Sequence, residues 1–417
     1  MPKKRLKILL GCYACDPNFG SEPGMGWNFV SNIAKYHDVH AIVEEGEFKE
    51  NLTQYAINHP EITRNIKFHF IQRAHHETLR KIWPPSYYWF YRKWQKRAFK
   101  YAVELDKAEN FDLVHQVNMA GFREPGYLWK LDKPYVWGPI GGFTQTPWCL
   151  LKGTGIHSML YFGMRNILNS FQKRFGYACR KAAQKANTIL VSDKQGMNDV
   201  ILYWKRKAEY MLEVGTSQTK RHNDVQKRER HEKFQICWAG NLIPLKALEL
   251  LLFAIVKCNN SNITLEVLGD GPCETKWKKL TRKLGLECTV HFRGRIKHDE
   301  VLRIMQSSHL FCHTSIKEGG TGTVILEALQ NALPAIILDH GGAAQVINET
   351  CGFRVPIHER HQVIRCLAKA INLLENNEEL RHSLAIGALK RSKEFSWDAK
   401  MQQLNRIYEE ATSPIAH

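Results

Sequence analysis

Leu310-Phe311-Cys312-His313, followed shortly by Lys317-Glu318-Gly319-Gly320-Thr321-Gly322-Thr323-Val324-Ile325-Leu326-Glu327-Ala328-Leu329, reads as a strand, a glycine- and threonine-rich loop and a helix. Working outward, residues 234–239, 264–268, 290–292 and 335–338 repeat the short apolar strand signal. Helical spacing of apolar residues occupies 245–257, 274–284, 299–306 and 324–331. Strands that alternate with helices predict a parallel sheet covered on both faces.

The first half carries the same pattern. Residues 7–13 form an apolar run that ends near the loop Gly20-Ser21-Glu22-Pro23-Gly24-Met25-Gly26, after which Trp27, Val30, Ile33 and Ala34 recur at helical spacing. Strand signals follow at 40–44, 66–71, 113–117, 135–137 and 188–191, with helical segments at 92–107 and 179–185. Between the halves, residues 216–233 are polar and basic without apolar periodicity, which marks a linker. The expected organisation is a first α/β domain over 1–215, the linker, a second α/β domain over 234–394, and a closing amphipathic helix within 395–417 that carries Trp397, Met401, Leu404 and Tyr408 on one stripe.

Composition agrees with this class. A chain of 417 residues exceeds what one hydrophobic core supports, and 44% hydrophobic with 24% charged residues is a globular balance. No apolar run approaches the roughly 20 residues of a bilayer-spanning helix. The start, with Lys3, Lys4 and Arg5 ahead of a short apolar run, is read as a first strand because Asp16 and Pro17 stand where a cleavage site should be. Eleven cysteines, an odd number, point to reduced thiols and a cytoplasmic setting; Cys12 and Cys15 lack the second pair that a zinc site needs. The net charge of +18 would attract phosphates, nucleic acid or anionic lipid.

Two loops carry candidate chemistry. Residues Gly319, Gly320, Thr321, Gly322, Thr323 and Val324 open a helix, where backbone N–H groups suit a diphosphate, and Glu327 on that helix suits a sugar-ring hydroxyl. A solvated helix start is the bland alternative. Gly20, Ser21 and Glu22 are a second phosphate-loop candidate, with a tight connecting turn as the alternative.

Taken together, these residues resemble the retaining glycosyltransferases of family 4. The likeness rests on Glu318 and Glu327 with their loop, Asn331-Ala332-Leu333-Pro334, His340-Gly341-Gly342, Trp238-Ala239-Gly240-Asn241-Leu242-Ile243-Pro244-Leu245-Lys246, Leu268-Gly269-Asp270-Gly271-Pro272 and Phe292-Arg293-Gly294-Arg295-Ile296. Gly20-Ser21-Glu22, Trp137-Gly138-Pro139-Ile140-Gly141-Gly142 and Phe395-Ser396-Trp397 resemble a branch found in bacterial surface-polysaccharide pathways. The resemblance implies a GT-B fold, two Rossmann-like domains facing across a cleft with the last helix returning to the first. It implies a nucleotide-sugar donor, a glycan or lipid-linked acceptor, retention at the anomeric carbon and no cofactor.

By the same resemblance Lys246 meets the donor diphosphate, with Gly240, Asn241, Gly294 and Arg295 around it. Glu327 meets the ribose, and Glu318 with residues 319–324 meets the sugar and phosphates. His115, two residues before the family's histidine position, is the first-domain candidate for catalysis as a substitute, with a satisfied structural histidine at a strand end as the more common alternative. With no Asp-x-Asp pair in the chain, the expectation is transfer without a metal. Three departures stand out: Asn241 replaces the usual arginine, eight residues rather than seven separate Glu318 from Glu327, and Val117 stands where many members carry histidine.

The stretch from Ile82 to Arg97 interleaves seven aromatic residues with four cations, which suits peripheral contact with an anionic membrane at the cytoplasmic face or, equally, a core-facing helix. Two other function classes remain on the table: a nucleic-acid-binding protein using basic and aromatic surface, although no such module is recognisable, and a sugar-nucleotide epimerase or hydrolase on the same scaffold.

Overall fold

The computed structural model describes residues 4–73, 82, 86–152, 155–216, 225–229, 232–318 and 320–413. The chain divides into two compact units, one made of 1–143, 171–213 and 397–417, the other of 144–170 and 214–396.

In the first unit seven strands form one sheet: β1 (Lys7–Cys12), β2 (Asp38–Glu44), β3 (Ile66–Ile71), β4 (Leu113–Asn118), β5 (Tyr135–Ile140), β6 (Thr188–Val191) and β7 (Glu209–Tyr210). Their order is β3-β2-β1-β4-β5-β6-β7 and every pairing is parallel. β1 is buried on both faces, with Ile8, Leu9 and Leu10 fully covered, as expected for the central strand of a parallel sheet. Phe29, Val30 and Ile33 of helix Ser21–Ile33 belong to the same core, together with Tyr91, Trp94 and Ala98 of helix Ser86–Glu109.

Helix Trp397–Thr412 is part of this unit, and Trp397, Met401, Leu404, Ile407 and Tyr408 lie in its core. Two histidines fix it in place: His37 Nε2 lies 3.0 Å from Asn405 Oδ1, and His115 Nδ1 lies 2.6 Å from the Tyr408 hydroxyl.

The second unit repeats the topology with six parallel strands: β8 (Phe234–Ala239), β9 (Ile263–Leu268), β10 (Val290–Gly294), β11 (Leu310–His313), β12 (Ala335–Leu338) and β13 (Gly352–Val355), in the order β10-β9-β8-β11-β12-β13. Helix Leu248–Cys258 is apolar nearly all round because it packs between the sheet and helix Arg360–Asn376, whose Val363, Leu367 and Ile371 share its core. In both sheets the strand order reverses direction beside the central strand, and that switch point is where open α/β sheets accept ligands.

Two strands escape the sequence reading. β7 is two residues long, and β13 alternates buried Gly352 and Val355 with a more open Phe353-Arg354, so neither shows a continuous apolar run. Among the described residues no helix is long and apolar enough to cross a membrane, and all eleven cysteines are free thiols.

Candidate active site

The site of the second unit is built at the carboxyl ends of its central strands. β8 leaves the sheet through Gly240, whose φ of +156° and amide bond to the Leu268 carbonyl (2.9 Å) set the exit path. Gly269, at φ +125°, lies so close that a β-carbon would sit 2.2 Å from the Gly240 carbonyl oxygen. Only glycine permits that approach. The chain then turns through Pro244–Lys246, and its carbonyls are stitched to the segment after β11. The Thr314 hydroxyl donates to Lys246 O (2.8 Å) and accepts from Trp238 Nε1 (3.0 Å), while the Ile316 amide donates to Leu245 O (2.8 Å). The backbone under Lys246 is thereby held from two strands at once.

Its side chain reaches Glu318. Lys246 Nζ pairs with Glu318 Oε1, and His313 Nε2, at the end of β11, lies 2.9 Å from the same oxygen. Burial would raise the Glu318 carboxyl, yet its bonds to His313 and Lys246 outweigh burial and bring its pKa down to about 2. Burial lowers His313, with the Glu318 bond opposing. The consistent arrangement is a neutral imidazole donating Nε2–H to an ionised carboxylate, beside a lysine cation.

The loop beyond Glu318 opens helix Thr323–Gln330. Gly322, at φ +76°, is its cap and brings no capping side chain, and no acid sits in the first turn. Its leading amides therefore carry the positive end of the helix dipole unopposed. Thr321 is fully buried against Gly342. Gly319 lies outside the described residues. On the same helix Glu327 has its carboxyl raised by burial, an effect opposed by His298, whose Nε2 lies 3.8 Å away.

Gly294 adopts φ +68° with open space around it, and its carbonyl accepts from the Gly269 amide (2.8 Å). Arg295 beside it is exposed, whereas Arg293 is committed to Glu266 through two bonds of 2.6 and 3.1 Å. Asn241 is exposed at the β8 exit.

One residue here was not singled out from sequence, and a second was named there only within a motif. His313 looks like any histidine at a strand end until its partner across the turn is seen. His340 follows β12; its Nε2 is buried without a hydrogen-bond partner among the described residues, and burial lowers its pKa despite a bond it donates to the Gln145 backbone carbonyl.

Residues 219–391 match the family model described as Glycosyl transferases group 1. An uncharacterised glycosyltransferase of Methanocaldococcus jannaschii is 27% identical over 173 residues, 42% of this chain and 47% of its own. A second from the same organism is 24% identical over 258 residues, 61% and 63% of the two chains. The chain thus spans about half to under two thirds of the length of these relatives. Among solved structures, the Anabaena protein HepE in complex with UDP superposes with a TM-score of 0.60 at 16% identity, over 97% of this chain and 99% of that one. The fold is GT-B.

Within the first GT-B unit the candidates from sequence have structural tasks. His115 is fully buried, with Nδ1 on the Tyr408 hydroxyl and Nε2 2.6 Å from the Gly138 carbonyl, and burial lowers its pKa to about 4. With both ring nitrogens engaged in the core, it joins the closing helix to the sheet and is not placed for catalysis. Ser21 begins its helix at φ +58°, and the Glu22 carboxyl, raised by burial against the opposing bond from the Ala120 amide at 2.7 Å, is taken up in packing against the segment after β4. Gly26 is required for packing, since a β-carbon there would lie 2.0 Å from the Ala14 carbonyl oxygen. In the stretch from Ile82 to Arg97, Phe90, Tyr91 and Trp94 are buried, Tyr88 and Trp89 are exposed, and residues 83–85 lie outside the described residues. Core packing thus consumes much of that aromatic run. Among the described residues no group of three or more His, Cys, Asp or Glu could hold a metal ion.

Proposed function

We propose that this protein is a glycosyltransferase that binds a nucleotide-sugar donor at the second unit and moves the sugar to a hydroxyl of a glycan or lipid-linked glycan in the building of cell-surface polysaccharide. The observation that carries the reading is the cluster of Lys246, Glu318 and His313 at the strand ends of a region matching a glycosyl transferases group 1 model.

In the reaction the bond from the anomeric carbon to the diphosphate oxygen breaks, the acceptor oxygen bonds to that carbon, and the acceptor proton leaves. Negative charge grows on the departing diphosphate. Lys246 and the uncapped amides of helix Thr323–Gln330 are positive groups fixed in advance, and such groups lower the barrier most where charge develops. Binding the donor exchanges part of the Lys246–Glu318 contact for a Lys246–phosphate contact and releases Glu318 toward sugar hydroxyls. By the family resemblance Glu327 takes the ribose. Retention, and the absence of any metal requirement, follow the family resemblance and the cationic character of the site.

The test is thermal unfolding with UDP, GDP, ADP and dTDP added separately, beside single-stranded RNA. A diphosphate that binds the folded state raises the midpoint by mass action. We expect one nucleoside diphosphate to stabilise the protein and Lys246→Ala to abolish the effect; stabilisation by RNA alone would overturn the assignment.

A further inference from the structure

Helix Ile156–Phe175 is inside out. Its covered face holds Asn166, Asn169 and Lys173. Asn166 is doubly bonded to the Thr146 backbone (3.0 and 2.8 Å), and Lys173 Nζ lies 2.5 Å from Asp199 Oδ2. Ile156, Leu160, Met164, Ile167, Leu168, Phe171 and Phe175 are all exposed, each by half or more. At about 100° per residue these seven fall within a single arc of about 120°. Scattered exposed apolar residues are ordinary, but a contiguous stripe five turns long marks an interaction surface.

Charge identifies the occupant. Between Asp132 and Asp193 the sequence contains no acidic residue, while Lys152, Arg165, Lys173, Arg174, Arg180, Lys181 and Lys185 all fall in that interval. Except for Lys173 these cations are exposed, and so is Tyr177 at the start of the next helix, Tyr177–Lys185. Arg174 lies over the Phe175 ring at 5.4 Å and Lys181 over the Tyr177 ring at 5.8 Å, pairing cation with aromatic as at a headgroup boundary. A second copy of so uniformly positive a face would be repelled, and a nucleic-acid strand offers nothing to the aliphatic stripe.

We infer that helix Ile156–Phe175 is a membrane-surface helix that lies flat in the interface of an anionic phospholipid bilayer, with Leu160, Met164, Ile167, Leu168 and Phe171 among the acyl chains and Arg165, Arg174, Arg180 and Lys181 against phosphate. The inference stands on observations separate from those of the donor site. It places membrane contact on this helix and not on the stretch from Ile82 to Arg97.

The experiment is co-sedimentation of the full chain with phosphatidylcholine vesicles with and without phosphatidylglycerol, at low and high salt. Expected are a partition at least ~10-fold higher on the anionic vesicles, a decline with salt, and a ~10-fold loss in the variant Ile167→Ser/Leu168→Ser/Phe171→Ser with an unchanged unfolding midpoint. Trp89→Ser should bind as the parent does. The inference is overturned if the chain ignores anionic vesicles, if the triple variant binds undiminished, if Trp89→Ser alone abolishes binding, or if sedimentation shows a dimer that the triple variant dissolves.

Discussion

Lys246, in the turn that follows β8, and His313, at the end of the neighbouring β11, address the same atom, Oε1 of Glu318. A lysine whose ammonium is held by a carboxylate at a strand exit is already positioned when a diphosphate arrives, so less side-chain freedom is lost on binding. Removing it should act on ligand binding more than on folding. Lys246→Ala should lose roughly 100-fold or more in nucleoside diphosphate affinity, about 3 kcal/mol, and about 1 kcal/mol of unliganded stability, because the buried Glu318 then keeps only His313 as its partner. Calorimetric titration beside a thermal scan separates the two.

Glu318 predicts a pH dependence of stability. Its carboxyl sits at about 2 in the fold against an ordinary value of 4.5, so the unfolded chain takes up a proton first as pH falls. The contribution is complete above 4.5 and is lost between there and 2. It amounts to roughly 1 to 3 kcal/mol after allowing for the burial that opposes it. Urea unfolding at neutral and acid pH should show Glu318→Gln less stable than the parent at pH 7, with the gap closing toward pH 3. A constant gap would exclude this linkage.

Two glycines separate crowding from backbone strain. Gly269→Ala brings a β-carbon to 2.2 Å from the Gly240 carbonyl oxygen at φ +125°, whereas Gly294→Ala at φ +68° meets open space. The first should cost roughly 3 kcal/mol or more and disturb nucleotide binding, and the second about 1 to 2 kcal/mol for the left-handed backbone alone. Denaturant midpoints of the two variants test the ordering.

The Tyr408 hydroxyl is the partner of His115 Nδ1 in a fully buried pair. Tyr408→Phe keeps the ring packing and leaves a buried imidazole nitrogen unpaired, which should cost about 1 to 3 kcal/mol. A transferase assay on this variant should retain activity once the protein is folded. Loss of turnover without loss of stability would restore His115 as a catalytic residue.

Asn241 occupies the place where the family pattern carries arginine, and it is exposed beside the Lys246 turn. Asn241→Arg adds a second cation able to make paired bonds to phosphate, and should tighten nucleoside diphosphate binding by about 10-fold. Weaker binding in that variant would show that the turn does not face the diphosphate.

The alternation of short apolar runs with helical periodicity was enough to read two α/β halves, because a parallel sheet covered on both faces forces its strands to be apolar throughout. Eleven of the thirteen strands among the described residues were readable for that reason; β7 and β13 were too short or too mixed. The loop after β11, with its glycines and Glu318 and Glu327, was equally visible, since a helix start that must approach an anion limits its own composition.

Side-chain partnership was not visible. Nothing local to His115 distinguishes a catalytic histidine from a core one; the decision lies with Tyr408, far along the chain. His313 became part of the site only when the turn after β11 brought Glu318 back to it. Helix Ile156–Phe175, which the sequence reading did not single out, has two faces, and nothing local says which of them is covered. Its polar face found partners in Thr146 and Asp199, and its apolar face was left outside. The sequence determined the elements because their periods are local properties of the chain; tertiary structure decided which residues meet and which face water, because those depend on contacts between segments that no local pattern encodes.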